Sequence, residues 1–359
     1  MSRCYKDMAD TDIHTHPRSF SHIAGATIKI AVPLAVSAAL IVWMFHKVDY
    51  HKVAAIIRQG VDYRFIIAMM CVTVVSHIIR GIRWGIQLRA AGVARMPVIA
   101  ESVSIFGAYA LNLLFPFLGE AWRCVYVSRR QGCKLATVVG TDIGDRSADG
   151  IMIALISAAA MIVAHPAMER FLDHYRFGER LTHAFTDGTL PLWIAGICAA
   201  ATAGWYALRH TRFMAGIGAS CRRIWAGFAI LFHLPSAWLY LLLTLGIWVC
   251  YFMETYLCFF AFPFTRELIA GPGNAWGLIP GLVVFVFGSW SMIVPSNGGL
   301  GPWNIAVMFA LSLYGVTDTD GAAYSIICWS FQAFTLICLG VFSAFYIMLS
   351  RRKARALGN

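Results

Sequence analysis

The chain alternates long apolar runs with short polar breaks, rather than alternating single hydrophobic and polar residues. Runs at about 28–45, 65–79, 135–163, 190–208, 236–262 and 322–349 are each long enough for one helical crossing of a hydrocarbon layer about 30 Å thick. Two further apolar stretches, 98–130 and 276–315, are too long for one crossing and are broken in the middle. The first break reads Asn112-Leu-Leu-Phe-Pro116-Phe-Leu-Gly119-Glu120, and the second reads Pro295-Ser-Asn297-Gly298-Gly299-Leu-Gly301-Pro302. Proline and glycine free backbone groups there, which is tolerable at membrane depth only where the backbone lines a protein-enclosed cavity. The pattern predicts an all-α, polytopic membrane protein with six full spans and two interrupted hairpins.

Composition makes lipid the solvent. Of 359 residues, 59% are hydrophobic and 13% charged, about half the roughly 25% charge of a soluble globular domain. The formal charge of +11 does not point to nucleic acid, because the basic residues lie between apolar runs and read as topology signals. Residues 80–95 carry Arg80, Arg83, Arg89 and Arg95, and residues 209–223 carry Arg209, Arg212, Arg222 and Arg223. Both are expected to be cytoplasmic loops, as is the tail with Arg351, Arg352, Lys353 and Arg355, whereas 164–189 lacks a positive excess and is expected outside. To satisfy these sides, 98–130 must enter and leave from the cytoplasm and 276–315 from outside. Two oppositely oriented re-entrant hairpins are a sequence pointer to an inverted-repeat transporter with its site between the repeats. The chain thus divides into a polar, disordered cytoplasmic tail (1–26), a transmembrane domain (27–350) and a basic cytoplasmic tail (351–359), in the inner (plasma) membrane. Trp43, Trp193, Trp205, Trp238 and Trp329 fit an interfacial aromatic belt. Stretches 46–64 and 211–233 read as segments lying along the membrane surface.

Three clusters carry chemistry, since each charge in an apolar run costs roughly 2.5–3.5 kcal/mol on insertion scales and needs a partner or a function. The first is Asn112, Pro116, Gly119, Glu120 and Arg123, where Glu120 and Arg123 stand three apart and are expected to pair along one helix face. The second is Asp142, Asp145, Arg146 and Asp149, one helical stripe whose three acids and one base call for a further cation such as Arg123 or Arg83. The third is the loop Asn297, Gly298, Gly299 and Gly301 before a helix beginning near Pro302, whose free N–H groups suit an anion such as a lipid phosphate. Glu254, in the middle of a span, has no partner by sequence and reads as a protonated carboxylic acid or as a bond to a neighbouring helix, with the structural role favoured, and His77 reads as an interfacial histidine. Asp12, His14 and His16 have metal-enzyme spacing without partner ligands, and the ten cysteines lack any C-x-x-C pair. No metal, cofactor or catalytic motif is predicted.

Arg80-Gly-Ile-Arg83-Trp84, Asn112…Pro116…Gly119-Glu120…Arg123, Asp145-Arg146…Asp149 and Pro295…Gly298-Gly299-Leu-Gly301 together resemble the transmembrane domain of lysylphosphatidylglycerol synthases and their stand-alone, flippase-like relatives. The likeness runs from about residue 25 to 350. It departs from the family pattern at Phe117 and Leu118, where a basic residue is common, and at Asn304, where a Glu is common. The resemblance implies movement of phospholipid between leaflets around a central cavity, without the soluble aminoacyl-transferase domain that the synthases append. The expectation is therefore a non-enzymatic flippase for an anionic-headgroup lipid or lipid-linked molecule. Arg123 and Arg146 would bind the headgroup, Glu120 and the aspartates would position them, and proton coupling would run through Asp145, Asp149 or Glu120. An intramembrane lipid-modifying enzyme and a non-transporting scaffold are the alternatives; a homo-oligomer is compatible with either.

Overall fold

The computed structural model describes residues 50–165 and 236–356, with Leu234 and single positions at 169, 192, 196, 199 and 202. The expected span at 28–45, all but four positions of that at 190–208, the tail cluster Asp12, His14 and His16, and the segment 211–233 lie outside the described residues. What is described is helical: α1 (Tyr50–Gln59), α2 (Tyr63–Ala90), α3 (Val98–Leu114), α4 (Leu118–Gln131), α5 (Leu135–Val163), α6 (Ala237–Ala261), α7 (Pro263–Ala270), α8 (Leu278–Ser291), α9 (Pro302–Ser312) and α10 (Asp318–Ala356). Four of these, α2, α5, α6 and α10, are long and apolar enough to cross a membrane, and each covers one of the runs read from the sequence.

The side chains reverse the soluble pattern. Ile151, Leu155, Ile162, Leu241 and Phe345 point outward and are more than half exposed, while Arg80, Arg83 and Arg123 are at most 1% exposed. A surface of that kind belongs against hydrocarbon. The molecule is a multi-pass membrane protein.

Contacts along the helices fix their directions. Asp62 pairs with Arg266 at 3.2 Å, Ser76 donates to Glu254, Arg83 donates to Thr244, and Gln87 donates to Tyr240, so α2 and α6 run antiparallel. Arg80 meets Asp149 and Trp84 meets Thr141, so α5 is also antiparallel to α2. Ser343 donates to the Val103 carbonyl at 2.8 Å, and a methyl group at Gly340 would lie 2.4 Å from the Ala110 Cβ, so α10 is antiparallel to α3. The ends of α2, α4 and α10 and the starts of α3, α5 and α6 therefore share one end, which carries the exposed Arg129, Arg130, Arg351 and Arg352. The hairpin α3–α4 starts and finishes there, and the hairpin α8–α9 starts and finishes at the opposite end.

Both hairpins break where proline and glycine predict. The first is turned by Phe115 to Phe117, with Phe117 left-handed at φ 62°. Gly119 donates its N–H to Asn112 Oδ1 at 2.8 Å, and a Cβ there would meet the Ala108 carbonyl oxygen at 1.9 Å, so only glycine lets the two arms close. The second turn carries Gly298, Gly299 and Gly301 at φ 59°, 82° and 92°, values that glycine adopts without steric cost. The tips then meet: Gly298 N–H donates to the Asn112 carbonyl at 3.0 Å, and Trp329 Nε1 donates to the Gly298 carbonyl at 2.9 Å. Trp329 is thus a clasp inside the molecule, not a member of an interfacial belt.

One topological reading needs correction. The run read as ending at residue 79 continues as helix to Ala90, and Arg80 and Arg83 are buried in the bundle instead of lying in a cytoplasmic loop. Their charges are neutralised across helices, an arrangement that loop counting cannot see. Segment 46–64 contains α1, whose Val53 packs on Met308, Ala322 and Ala323.

Candidate functional site

Along α2, Thr73, Ser76, His77, Arg80, Arg83, Trp84 and Gln87 recur at spacings of three and four, which places them on one face. That face is buried against α5 and α6. Helix α5 answers with Asp142, Asp145, Arg146 and Asp149, and the start of α4 adds Glu120 and Arg123. Arg83 reaches Asp145 at 2.6 Å and Asp149 at 2.8 Å. Arg80 lies 3.3 Å from Asp145, pairs closely with Asp149, and donates to the Tyr251 hydroxyl at 3.1 Å. Arg123 pairs with Asp142, lies 3.8 Å from Asp145, and stacks its guanidinium 4.5 Å from the Trp84 ring centroid. Arg146 pairs with Glu120. Four guanidinium groups thus meet four carboxylates, and the further cation expected beside the α5 acids is supplied by Arg80, Arg83 and Arg123 together.

The expected Glu120–Arg123 pair does not form. Glu120 turns to Arg146 and also accepts from Asn112 Nδ2 at 3.1 Å. Arg123 is drawn under Trp84 toward α5, where it gains a carboxylate and an aromatic face together, while Glu120 is taken up by Arg146 and Asn112.

A cavity of about 570 Å³ opens between α2, α3, α5, α6, α8, α10 and the two hairpin tips. Among the predicted site residues, Asn112, Glu120, Arg146, Asp149, Gly298 and Gly299 line it, whereas Arg83, Arg123, Asp145, Asn297 and Gly301 stand behind the wall or beside it. Arg146 is the cation that opens onto it: 41% of its side-chain surface is accessible, against 2% for Arg80, which also lines the wall. Arg80, read from the sequence as a cytoplasmic-loop residue, lines this wall, as do Tyr109, Trp248, Tyr251 and Gln332, which the sequence pattern does not single out. The three-and-four spacing of the polar face of α2 was the signal available for Arg80, and the same face carries His77 into the wall instead of to a membrane interface.

Several N–H groups in and just after the glycine-rich loop are already bonded within the protein. Gly298 donates to Asn112, Leu300 to the Asn297 carbonyl at 3.2 Å, Gly301 to Asn304 Oδ1 at 3.0 Å and Trp303 to the Gly299 carbonyl at 3.0 Å. The N–H groups of Gly298, Leu300 and Gly301 are therefore not free in this conformation for the anion read from the sequence. Asn304 is fully buried and serves as the capping partner of that turn.

Neither curated proteins nor solved structures return a match to the chain. The family model described as the lysylphosphatidylglycerol synthase TM region matches residues 30–353, which takes in both hairpins, the ion-pair network and the cavity, and the chain belongs to that family.

Proposed function

We propose that this protein carries a lipid, or a lipid-linked molecule, with an anionic headgroup from one leaflet of the membrane to the other. Family membership supports lipid handling in the membrane, and the observation that carries the finer reading is Arg146. Its guanidinium is the exposed cation of an otherwise closed network, it faces a cavity also lined by Met69, Leu113, Ile153 and Phe285, and Glu120 accepts it from one side only. A phosphate oxygen can share or replace the Glu120 carboxylate through the planar fork of the arginine, while apolar walls receive the acyl chains. Arg80, Arg83 and Arg123, locked by Asp142, Asp145 and Asp149, hold α2, α4 and α5 around the headgroup position. In this reading the chain is a carrier and not an enzyme, and its basic end faces the cytoplasm of the inner membrane.

The test is leaflet exposure of a fluorescent phosphatidylglycerol in proteoliposomes, read by quenching from outside. Wild-type protein is expected to exceed protein-free vesicles, and Arg146→Ala at matched protein level is expected to lose about tenfold or more, the scale of a lost charge-assisted pair. Wild-type vesicles that behave like empty ones, with any anionic lipid tried, would remove the carrier reading.

A further inference from the structure

Glu254 lies on the cavity wall of α6, away from the arginine network. Among the described residues its hydrogen-bond partners are neutral: Ser76 Oγ donates to Oε1 at 3.0 Å, and Gln332 Nε2 to Oε2 at 3.4 Å. Gln332 is held in turn by Thr73, whose hydroxyl donates to its Oε1 at 2.9 Å. Next to Ser76, the His77 ring places Nδ1 2.8 Å from the Thr73 carbonyl. A carbonyl only accepts, so that nitrogen carries the hydrogen, and Nε2 is left as a buried lone pair with no partner.

The surroundings supply no counter-charge. Of the titratable groups on the same cavity wall, α2 presents His77 and Arg80, α3 Tyr109, α4 Glu120, α5 Arg146 and Asp149, α6 Tyr251 and Cys258, and α10 Tyr324 and Cys328. The wall contributed by the α8–α9 hairpin carries only neutral side chains. Arg80 is committed to Asp145, Asp149 and Tyr251, and Arg146 to Glu120. An ionised Glu254 would therefore be an uncompensated charge in an apolar wall, the arrangement that membrane proteins reserve for function. The carboxylates read from the sequence as proton carriers, Asp145, Asp149 and Glu120, are each held by arginine instead.

We propose that Glu254 is a proton-binding site coupled to the lipid cavity: its carboxyl carries a proton, which an anionic headgroup in the cavity holds more tightly and the headgroup's departure loosens. This rests on the carrier reading. The coupling is electrostatic, since an anion in the same cavity disfavours a second negative charge, and by linkage the proton favours the anion equally.

Infrared difference spectroscopy of the full chain in nanodiscs tests this without any transport. In phosphatidylcholine nanodiscs, wild-type protein is expected to show the C=O stretch of a protonated carboxyl that disappears in Glu254→Gln, a variant that keeps an acceptor for Ser76. In phosphatidylglycerol nanodiscs that band is expected to persist to higher pH. Should Glu254→Gln fail to fold, Glu254→Asp is expected to shift the same band. A carboxyl ionised throughout, a band indifferent to both variants, equal persistence in the two lipids, or a band titrated by sodium at fixed pH would each overturn the proposal. If the band behaves as stated while lipid translocation is absent, the carrier reading fails and the proton site stands.

Discussion

Asp145 shows what a single residue does in this bundle. Its side chain is fully buried and has Arg80, Arg83 and Arg123 at 3.3, 2.6 and 3.8 Å, so it answers three cations from three turns of two helices. Removing one partner of a buried pair leaves uncompensated charge at a cost of about 3–5 kcal/mol. Asp145→Ala is expected to lower thermal stability in detergent by that order, whereas Arg146→Ala, open to the cavity, is expected to change it little. Equal melting behaviour of the two variants would show that the network is not a structural lock. The contrast was only half legible in the sequence. The stripe Asp142, Asp145, Arg146 and Asp149 announces itself by spacing, but its partners on α2 lie more than fifty residues earlier in the chain, and no local rule selects them. The i,i+3 rule selected Arg123 for Glu120, and a partner 26 residues away prevailed.

The two hairpins are the elements that the sequence states most openly. A polytopic chain interrupts an apolar run with Pro116 and Gly119, or with Gly298, Gly299 and Gly301, only where the backbone has a use for the break. What the letters do not show is how closely the arms approach. A Cβ at Gly119 would lie 1.9 Å from the Ala108 carbonyl oxygen and 2.7 Å from Asn112 Oδ1, so backbone must move. Gly119→Ala is expected to destabilise the protein by about 1–3 kcal/mol, as overpacking does, and to loosen the Asn112 contacts to Glu120. Gly246→Ala serves as the control, because nothing lies within 4 Å of its added carbon. Its effect is expected to be neutral or stabilising by about 0.5–1 kcal/mol from helix propensity. The measurement is denaturation of both variants in one detergent, and a Gly119→Ala variant as stable as wild type would mean that the hairpin arms part easily. The inward course of α2 past residue 80 was the element missed, since arginines in a row look like a loop until their spacing is compared with that of Thr73, Ser76 and Gln87.

At the scale of the molecule, the two tips close the middle of the bundle from opposite ends. Gly298 donates to Asn112, Trp329 pins Gly298 from α10, and a Cβ at Gly298 would lie 3.5 Å from the Leu113 Cα. A carrier must expose its cavity to each side in turn, and rigid rocking of one repeat against the other is the usual means. In the proposed carrier, the contact between the tips that such rocking would break is, among the described residues, a seam of one backbone hydrogen bond and its apolar surround. That seam is weak, worth about 0.5–1.5 kcal/mol for the hydrogen bond, and so is suited to opening and closing during turnover. A covalent bond would make it permanent. The separation at Leu113 and Gly298 falls near the range in which disulfide geometry is satisfied, so Leu113→Cys with Gly298→Cys is expected to form a bridge on oxidation. The positive φ at residue 298 adds a modest strain, on the order of 1–2 kcal/mol, which the single Gly298→Cys variant controls for. In proteoliposomes the oxidised double variant is expected to lose lipid translocation and the reduced one to recover it, with the single variants indifferent to oxidant. Transport at the reduced rate by protein shown to be fully bridged would mean that the tips stay joined throughout the cycle, and the passage would then have to run beside the seam and not through it.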